Sequence, residues 1–410
     1  MITPAGLGST FADVRVLDLS SNLAGPLAAM VLGDLGADVI KVERPDSGDD
    51  TRGLPPQWDG DGTVFLSVNR NKRSVGLDLR SPEGREVLLR LAEGADVLIE
   101  SYGPGVAERL GLGFDDVRVR SPRIVYCTVS AFGAGPVGRT LPGYDSLIQG
   151  FSGMMSITGH PDGPPARVAP SAIDLSTGLW SVVAIMAALA RRAASDAAQH
   201  VEAALIDCAI TLMGHQVMSL LATGKVPQPL GTASPSTMPN EAFPAADGWV
   251  VVATANDAQF GRLCEALGAP ELAHDSRFQT VADRVASRDA LRPLLAGRFA
   301  GRTVDEWVER LGAARVAAGR LQGLHEALEH PLIEERGLLV RPDAEGRSED
   351  LLQVRVPIDV DGSCARRPPP RLGEHTEEVL REAGLDDDMI ASVLSRTAAD
   401  RTPSGSAPRR

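Results

Sequence analysis

The sequence predicts an α/β protein whose N-terminal part is a parallel sheet, and three observations carry that prediction. Over the first 130 residues short β-branched runs alternate with helical patterns, the repeat that parallel strands with helical crossovers produce. Ser81-Pro82-Glu83 has the form of a helix entrance, with a capping hydroxyl, a proline at the first helical position and an early negative charge. Gly-Ala-Asp occurs at 36–38 and again at 94–96, each time just before a strand, and reads as a helix exit with glycine in the left-handed cap.

Taken in order, the elements are a strand at Val14–Leu19, a helix at Pro26–Leu35 and a strand at Asp38–Glu43. A strand at Ser74–Leu79, a helix at Pro82–Glu93 and strands at Asp96–Glu100 and Ile124–Ser130 complete the alternation. The pattern then turns helical, with Tyr144–Met155, Leu175–Arg192 and Ala209–Leu221 around a short strand at Val201–Ile206. Lys225 to Pro239 is proline-rich and reads as a linker. A strand at Trp249–Thr254 and helices at Asp257–Leu267, Asp289–Phe299 and Val304–Leu311 make a smaller α+β unit. Strand character resumes over 337–358, helices fill Glu374–Arg396, and the tail from Thr397 is expected to be disordered. The organisation is therefore a large domain over 1–222, a linker over 223–240, a small domain over 241–332, a return to the large domain over 333–396 and a tail over 397–410.

Composition narrows the function classes. Apolar residues make up 43% and charged residues 23% of the 410, the averages of a soluble globular protein. The net charge of −13 offers no basic excess for nucleic acid or anionic membrane, so an anionic ligand must meet a local basic pocket. Cys127, Cys208, Cys264 and Cys364 are too far apart for a metal clip or redox motif, which fits a reducing compartment. The first residues lack a secretory leader, and the most apolar run, Gly178 to Ala190, is shorter than the ~20 residues that span a bilayer. A cytoplasmic protein with no membrane or nucleic-acid partner is expected.

Gly133-Ala-Gly-Pro-Val-Gly138 follows a strand and matches a dinucleotide fingerprint, but Pro136 and Pro142 break the helix that the fingerprint needs. No acidic residue follows ~20 positions on. We read a plain glycine loop and no nicotinamide cofactor. His325 and His330 are five apart, off one helical face, so no metal is expected there. Neither a Gly-x-Ser-x-Gly elbow nor a phosphate-binding loop with Gly-Lys-Ser/Thr is present. Seven basic residues lie between 41 and 80 (Lys41, Arg44, Arg52, Arg70, Lys72, Arg73, Arg80) against seven acidic ones. Composition alone reads this stretch as a solvated face, compatible with an anion pocket at strand ends. Asp174 precedes an apolar helix; alone it reads as a cap, and its functional reading is a nucleophile toward an activated carbonyl.

Several segments in order resemble the class III CoA-transferases, the family of formyl-CoA transferase and carnitine CoA-transferase, with α-methylacyl-CoA racemase as a distant relative. The carriers are Val16-Leu-Asp-Leu and Ala24-Gly-Pro26, Leu35 through Pro45, Asn71-Lys-Arg-Ser74, Ala95 through Gly105, Gly143-Tyr-Asp145, Thr158 through Pro165, Ala172 through Gly178, and Leu372 through Leu380. They cover about residues 11 to 396. The resemblance implies a doubly wound large domain, a smaller inserted α+β domain, and two chains linked like rings in an interlocked homodimer. It places Asp174 on the family's catalytic aspartate and Tyr144 and Asp145 on an active-site pair beside it. It also implies CoA contacts at Leu23, Ala24, Arg44, Leu77, Arg80, Ser101, Tyr102 and Arg109, with acyl-CoA as substrate and no metal or redox cofactor.

The implied activity is transfer of CoA from an acyl-CoA to a carboxylic acid through an aspartyl anhydride and an aspartyl-CoA thioester. Formyl-CoA transferases resemble one another in a glutamine where Leu23 stands and a tryptophan where Leu54 stands. Their run of four glycines has no counterpart near 225–240, where only Gly231 remains. A four-carbon or larger acid, such as a dicarboxylate receiving CoA from succinyl-CoA, is expected instead. The alternatives are a racemase acting beside the thioester carbonyl, whose relatives carry histidine where Tyr144 stands, and a CoA-binding protein without turnover.

Overall fold

A computed structural model describes residues 9–192, 194–342, 347–358 and 366–400. The chain divides into two compact units, one of Met1–Ser152, Val168–Met218 and Glu334–Arg410, the other of Gly153–Arg167 and Ser219–Ile333. The second unit thus takes in a segment, 153–167, that lies far from the rest of it in sequence; the Gly231 N–H donates to the Gly159 carbonyl at 2.8 Å.

The first unit is built on a six-stranded sheet: β1 (Arg15–Asp18), β2 (Asp38–Glu43), β3 (Lys72–Gly76), β4 (Val97–Glu100), β5 (Val125–Ser130) and β6 (Gln199–Ala204). Its order is β3-β2-β1-β4-β5-β6 and every pairing is parallel. Having laid β2 and β3 on one side of β1, the chain crosses to lay β4 on the other, so the crevice beyond the C-terminal ends of β1 and β4 is a topological switch point.

Strand alternation sorts the core. Leu17, Ile40, Val75, Leu98 and Tyr126 project to one face, where they pack with Val87, Leu88 and Leu91 of a helix at Pro82–Glu93 and with Val379, Leu380 and Ile390 near the C-terminus. On the other face lies α1 (Ala24–Asp34), apolar all round and buried at every residue. It packs against α2, the longest helix, Ala172–Arg192. The second unit holds an antiparallel sheet of β7 (Asn240–Pro244), β8 (Trp249–Ala253) and β9 (Ala317–Arg320) in the order β9-β8-β7. Its core stacks Phe243 on Phe299 at 4.8 Å and sets Trp307 edge-on to Phe299.

Several expectations need correction. Gly36 has φ of +113°, but Gly94 has φ of −102°, so only the first Gly-Ala-Asp glycine leaves the right-handed region. The helix expected over Ala209–Leu221 is two, Leu205–Leu212 and Gly214–Thr223, bent by 66° at the break. Within 337–358 the described strands are only Leu339–Val340 and Gln353–Val354. Thr397–Asp400, assigned to the tail, extend the helix Asp387–Asp400, which alanines at 398 and 399 favour; 401–410 and Cys364 lie outside the described residues. α2 has 21 residues and is long and apolar enough to cross a membrane, more than the apolar run alone indicated; its inner face, Ile173, Gly178, Val182 and Ile185 among it, is buried in the first unit.

The basic stretch 41–80 is not a solvated face. Lys41, Arg52, Arg70, Lys72 and Arg73 are buried, each against carboxylates: Arg70 on Asp34, Arg52 on Glu43 and Asp61, Arg73 on Asp38. Only Arg44 and Arg80 stand exposed.

Candidate active site

The loops that leave β1 and β4 meet at the switch point. The Ser21 N–H donates to Ser101 Oγ at 3.0 Å, tying the two together across the crevice. Between them opens a cleft of about 430 Å³ that Leu23, Ala24, Ser101, Tyr102, Tyr144 and Asp174 all line. The size falls in the range of small-molecule sites. A neighbouring cleft of about 410 Å³ is lined by Arg44, Leu77 and Arg80, and the two share Ser21, Asp50 and Tyr102. Nine of the eleven residues singled out in the sequence therefore line one of two adjoining clefts.

Two residues stand elsewhere. Arg109 lines neither cleft; it is exposed on the short helix Val106–Arg109, although its neighbour Leu110 does line the second. Asp145 is buried beneath the site. Its Oδ2 accepts the N–H groups of Ile173 at 3.0 Å and Asp174 at 3.3 Å, and its Oδ1 accepts Gln149 Nε2 at 2.7 Å. Gln149 Oε1 in turn accepts the Val168 N–H at 2.9 Å. Asp145 thus caps the start of α2 from 28 residues upstream, satisfying backbone donors that a helix start leaves open and placing negative charge at the positive end of the dipole. It is a positioning residue for Asp174, which sits in the first turn of the same helix, partly exposed and facing the cleft.

Gly178, one turn further along α2, fixes how closely that helix approaches α1. A Cβ there would lie 2.7 Å from the Ala24 carbonyl oxygen and 3.2 Å from Leu27 Cβ, so only glycine allows the contact. Gly178→Ala is expected to destabilise the protein by about 1–3 kcal/mol and to displace Asp174, read as a lower melting temperature together with slower turnover.

Under the cleft floor lies a buried charge network. Asp18, at the end of β1, pairs with Lys72 Nζ at 2.8 Å and Lys41 Nζ at 3.8 Å, and its Oδ1 accepts the Ser20 N–H at 3.1 Å. Lys72 also donates to the Pro26 carbonyl at 2.8 Å, Lys41 to the Ser20 carbonyl at 2.9 Å and to Asp49 at 3.0 Å. Burial pushes Lys72 down to about 8, against the pull of Asp18. Burial also opposes the charge on Lys41, but Asp18, Asp49 and Glu43 outweigh it and hold that ammonium above the ordinary lysine range. The loop from Ser20 to Pro26 is thereby clamped at both ends.

The glycine loop after β5 forms another wall, with Gly133, Gly138 and Gly143 on the Asp174 cleft. The loop that reads as a plain glycine turn in the sequence is thus placed against a cleft. Leu54, by contrast, does not line the cleft and is exposed. Among the described residues no group of three or more metal-ligating side chains occurs.

The profile of CoA-transferase family III matches residues 11–376. The chain is 38% identical over 380 residues to a succinate-glutarate CoA-transferase of Agrobacterium fabrum, covering 90% of this chain and 95% of that one. It is 35% identical over 400 residues to the succinyl-CoA:glutarate CoA-transferase of Homo sapiens, covering 95% and 89%. Among solved structures it is similar to a CaiB/BaiF family protein from Brucella suis, with a TM-score of 0.79 at 37% identity over 90% of this chain and 98% of that one.

Proposed function

This chain belongs to CoA-transferase family III, and we propose that it moves CoA from succinyl-CoA or a like donor to a dicarboxylic acid, with Asp174 as the nucleophile. The observation that carries this reading is the pair of clefts joined at Tyr102, one with two exposed arginines at its rim and the other with Asp174 in its wall. CoA has that form: a phosphorylated nucleotide, an arm and a reactive thioester end. Arg44 and Arg80 stand exposed, each beside a local aspartate, Asp50 and Asp78, and a guanidinium is the group best suited to meet phosphate. Leu23, Tyr102 and Leu77 offer apolar surface to the arm and base. The acid follows from the relatives that use succinate and glutarate and from Leu23 in the cleft wall.

The steps follow from the groups. A carboxylate oxygen of Asp174 attacks the thioester carbonyl, the C–S bond breaks, and CoA thiolate leaves behind an anhydride between Asp174 and the donor acid. The thiolate then attacks the aspartyl carbonyl of that anhydride, releasing the donor carboxylate and forming an aspartyl-CoA thioester. The acceptor carboxylate attacks this thioester, and the displaced thiolate attacks the acceptor's carbonyl in the resulting anhydride, restoring Asp174 and releasing the new acyl-CoA. No net proton is consumed. Phe132, Leu141, Pro142 and Leu205 on the cleft wall limit water, which would otherwise hydrolyse the anhydride.

A homodimer, interlocked as in the family, is part of this reading. Leu179, Trp180, Val183 and Met186 of α2 are each 41–53% exposed, a contiguous apolar face of the kind that a second chain covers. Trp180→Glu combined with Val183→Glu is expected to halve the mass measured by light scattering. The buried thiols of Cys127, Cys208 and Cys264 suit a reducing cytoplasm.

The test is intact-protein mass spectrometry of wild type and Asp174→Ala after incubation with a panel of acyl-CoAs, with hydroxylamine as a trap. A CoA or hydroxamate adduct on the Asp174 peptide, absent from the variant, is the expected result. No adduct with any donor, with solvent deuterium entering the carbon beside the thioester carbonyl, would overturn it in favour of proton abstraction.

A further inference from the structure

The turn Ser101–Gly105 borders both clefts and is held by a carboxylate that the transfer steps do not use. Glu100 is the last residue of β4 and is 4% exposed. Its Oε2 accepts the Tyr102 N–H at 2.8 Å, and Thr128, its register partner on β5, hydrogen-bonds it from the side. Tyr102 is common to the two clefts, and Ser101 Oγ receives the Ser21 N–H. Glu100 is thus one hydrogen bond from the residue that joins the clefts and adjacent to the one that ties their two loops.

Behind the turn is a further hollow of about 470 Å³ that shares Tyr102, Gly103 and Pro104 with the first cleft. The charged and titratable groups that surround Glu100 are Glu108 of the helix Val106–Arg109, His200 and Glu202 of β6, Arg139 of the turn Gly138–Thr140, Tyr102 and Tyr126, and the buried thiol of Cys127 on β5. His200 Nε2 lies 3.0 Å from Thr128 Oγ1, and its ring stacks on Phe114 at 5.0 Å. Burial, with Glu108 and Glu202 as neighbouring like charges, pushes Glu100 up to about 7.

We propose that Glu100 is a positioning residue for the CoA turn: its ionised carboxylate holds the Tyr102 N–H where CoA binding needs it, and taking up a proton weakens acyl-CoA affinity. The inference rests on the CoA-transferase reading above. When ionised, Glu100 accepts from both Tyr102 N–H and the Thr128 hydroxyl. When protonated it donates its proton to Thr128 Oγ1, whose hydroxyl turns toward His200, and Tyr102 keeps only a neutral acceptor. Hydrogen bonds to a charged acceptor are roughly twice as strong as neutral ones, so the loss is on the order of 3- to 10-fold in affinity.

The experiment is isothermal titration of CoA into the full chain at pH values from 6 to 8.5, for wild type, Glu100→Gln, Thr128→Val and His200→Phe, with melting curves alongside. Wild type is expected to bind less tightly by that factor as pH falls through about 7, beyond the titration of CoA itself, which all variants share. Glu100→Gln is expected to bind at the low-pH level throughout, with only that shared dependence, and to melt higher than wild type at pH 8. The last sign follows from linkage: a carboxyl raised from 4.5 to about 7 binds more protons folded than unfolded, so its contribution to stability falls as pH rises through that window. Weaker binding in a more stable variant cannot come from damage to the fold. Thr128→Val removes one donor to the carboxylate and is expected to move the midpoint to higher pH, and His200→Phe, which takes away the partner that the turned Thr128 hydroxyl meets in the protonated form, to move it to lower pH. An unchanged pH dependence in Glu100→Gln, or its loss in His200→Phe, overturns the inference. If wild type binds no CoA at any pH, the transferase reading fails and this inference with it.

Discussion

Asp174→Asn is expected to lower the turnover of CoA transfer by at least about 10³-fold while leaving the fold and the binding of CoA nearly intact. An asparagine has the shape of aspartate but no oxygen nucleophile, so neither the anhydride nor the aspartyl thioester can form. The loss should appear in kcat rather than KM, because the first cleft still offers Leu23, Ala24, Ser101 and Tyr102 to the ligand. Steady-state transfer from succinyl-CoA to glutarate, with circular dichroism as the fold control, measures it. Turnover within tenfold of wild type would remove Asp174 from the chemistry. Asp145→Asn, one step removed, keeps an amide oxygen for the two α2 N–H groups, which share Oδ2, but sets an NH2 donor against Gln149 Nε2 and loses the charge at the helix end. A smaller loss in kcat is expected there.

The largest expected loss of stability comes from Asp18→Asn. Asp18 is wholly buried between two ammonium groups, and its removal leaves Lys41 and Lys72 facing each other with Asp49 as the remaining partner of Lys41. Breaking a buried ion pair from one side costs about 3–5 kcal/mol, against a total stability of about 5–15 kcal/mol for a typical domain. Denaturant unfolding of wild type and variant measures it. Lys72, already pushed down to about 8, gives up its proton more readily in the variant, so the deficit is expected to shrink as pH rises from 7 to 9. Replacing both partners, Asp18→Leu with Lys72→Met, should recover much of the loss, because it removes the uncompensated charge as well as the pair.

What was legible in the sequence divides by range of interaction. The strands at 38–43, 97–100 and 125–130 and the helix at 82–93 are set by local apolar runs and by the Ser81 cap, which accepts the Gly84 N–H as its sequence indicated. The start of α2 lies earlier than the apolar run from Leu175 indicates: Ser171-Ala-Ile-Asp174 has the form of a helix entrance, and the carboxylate that accepts its N–H groups comes from Asp145, far upstream. The lysines and arginines between 41 and 73 looked solvated because their partners are distant in sequence; Asp18 and Lys72 are 54 residues apart. Residue types matched to a family brought nine of the candidate residues to the clefts, but could not separate Tyr144, which lines the cleft, from Asp145, which holds up the helix behind it. Glu100 carried no motif of its own. Its role depends on a turn, a neighbouring strand and a hollow that exist only after folding.

The contact at Gly178 has a mechanical meaning. Ala24 and Asp174 both line the cleft, and where their helices meet, the Ala24 carbonyl and the Leu27 side chain lie against Gly178 with no room for a Cβ. A displacement of α1 against the sheet is therefore expected to press on α2 and carry Asp174 with it. In the proposed reaction the two walls of the cleft would then share one mount, and a displacement common to both would leave the distance across it unchanged.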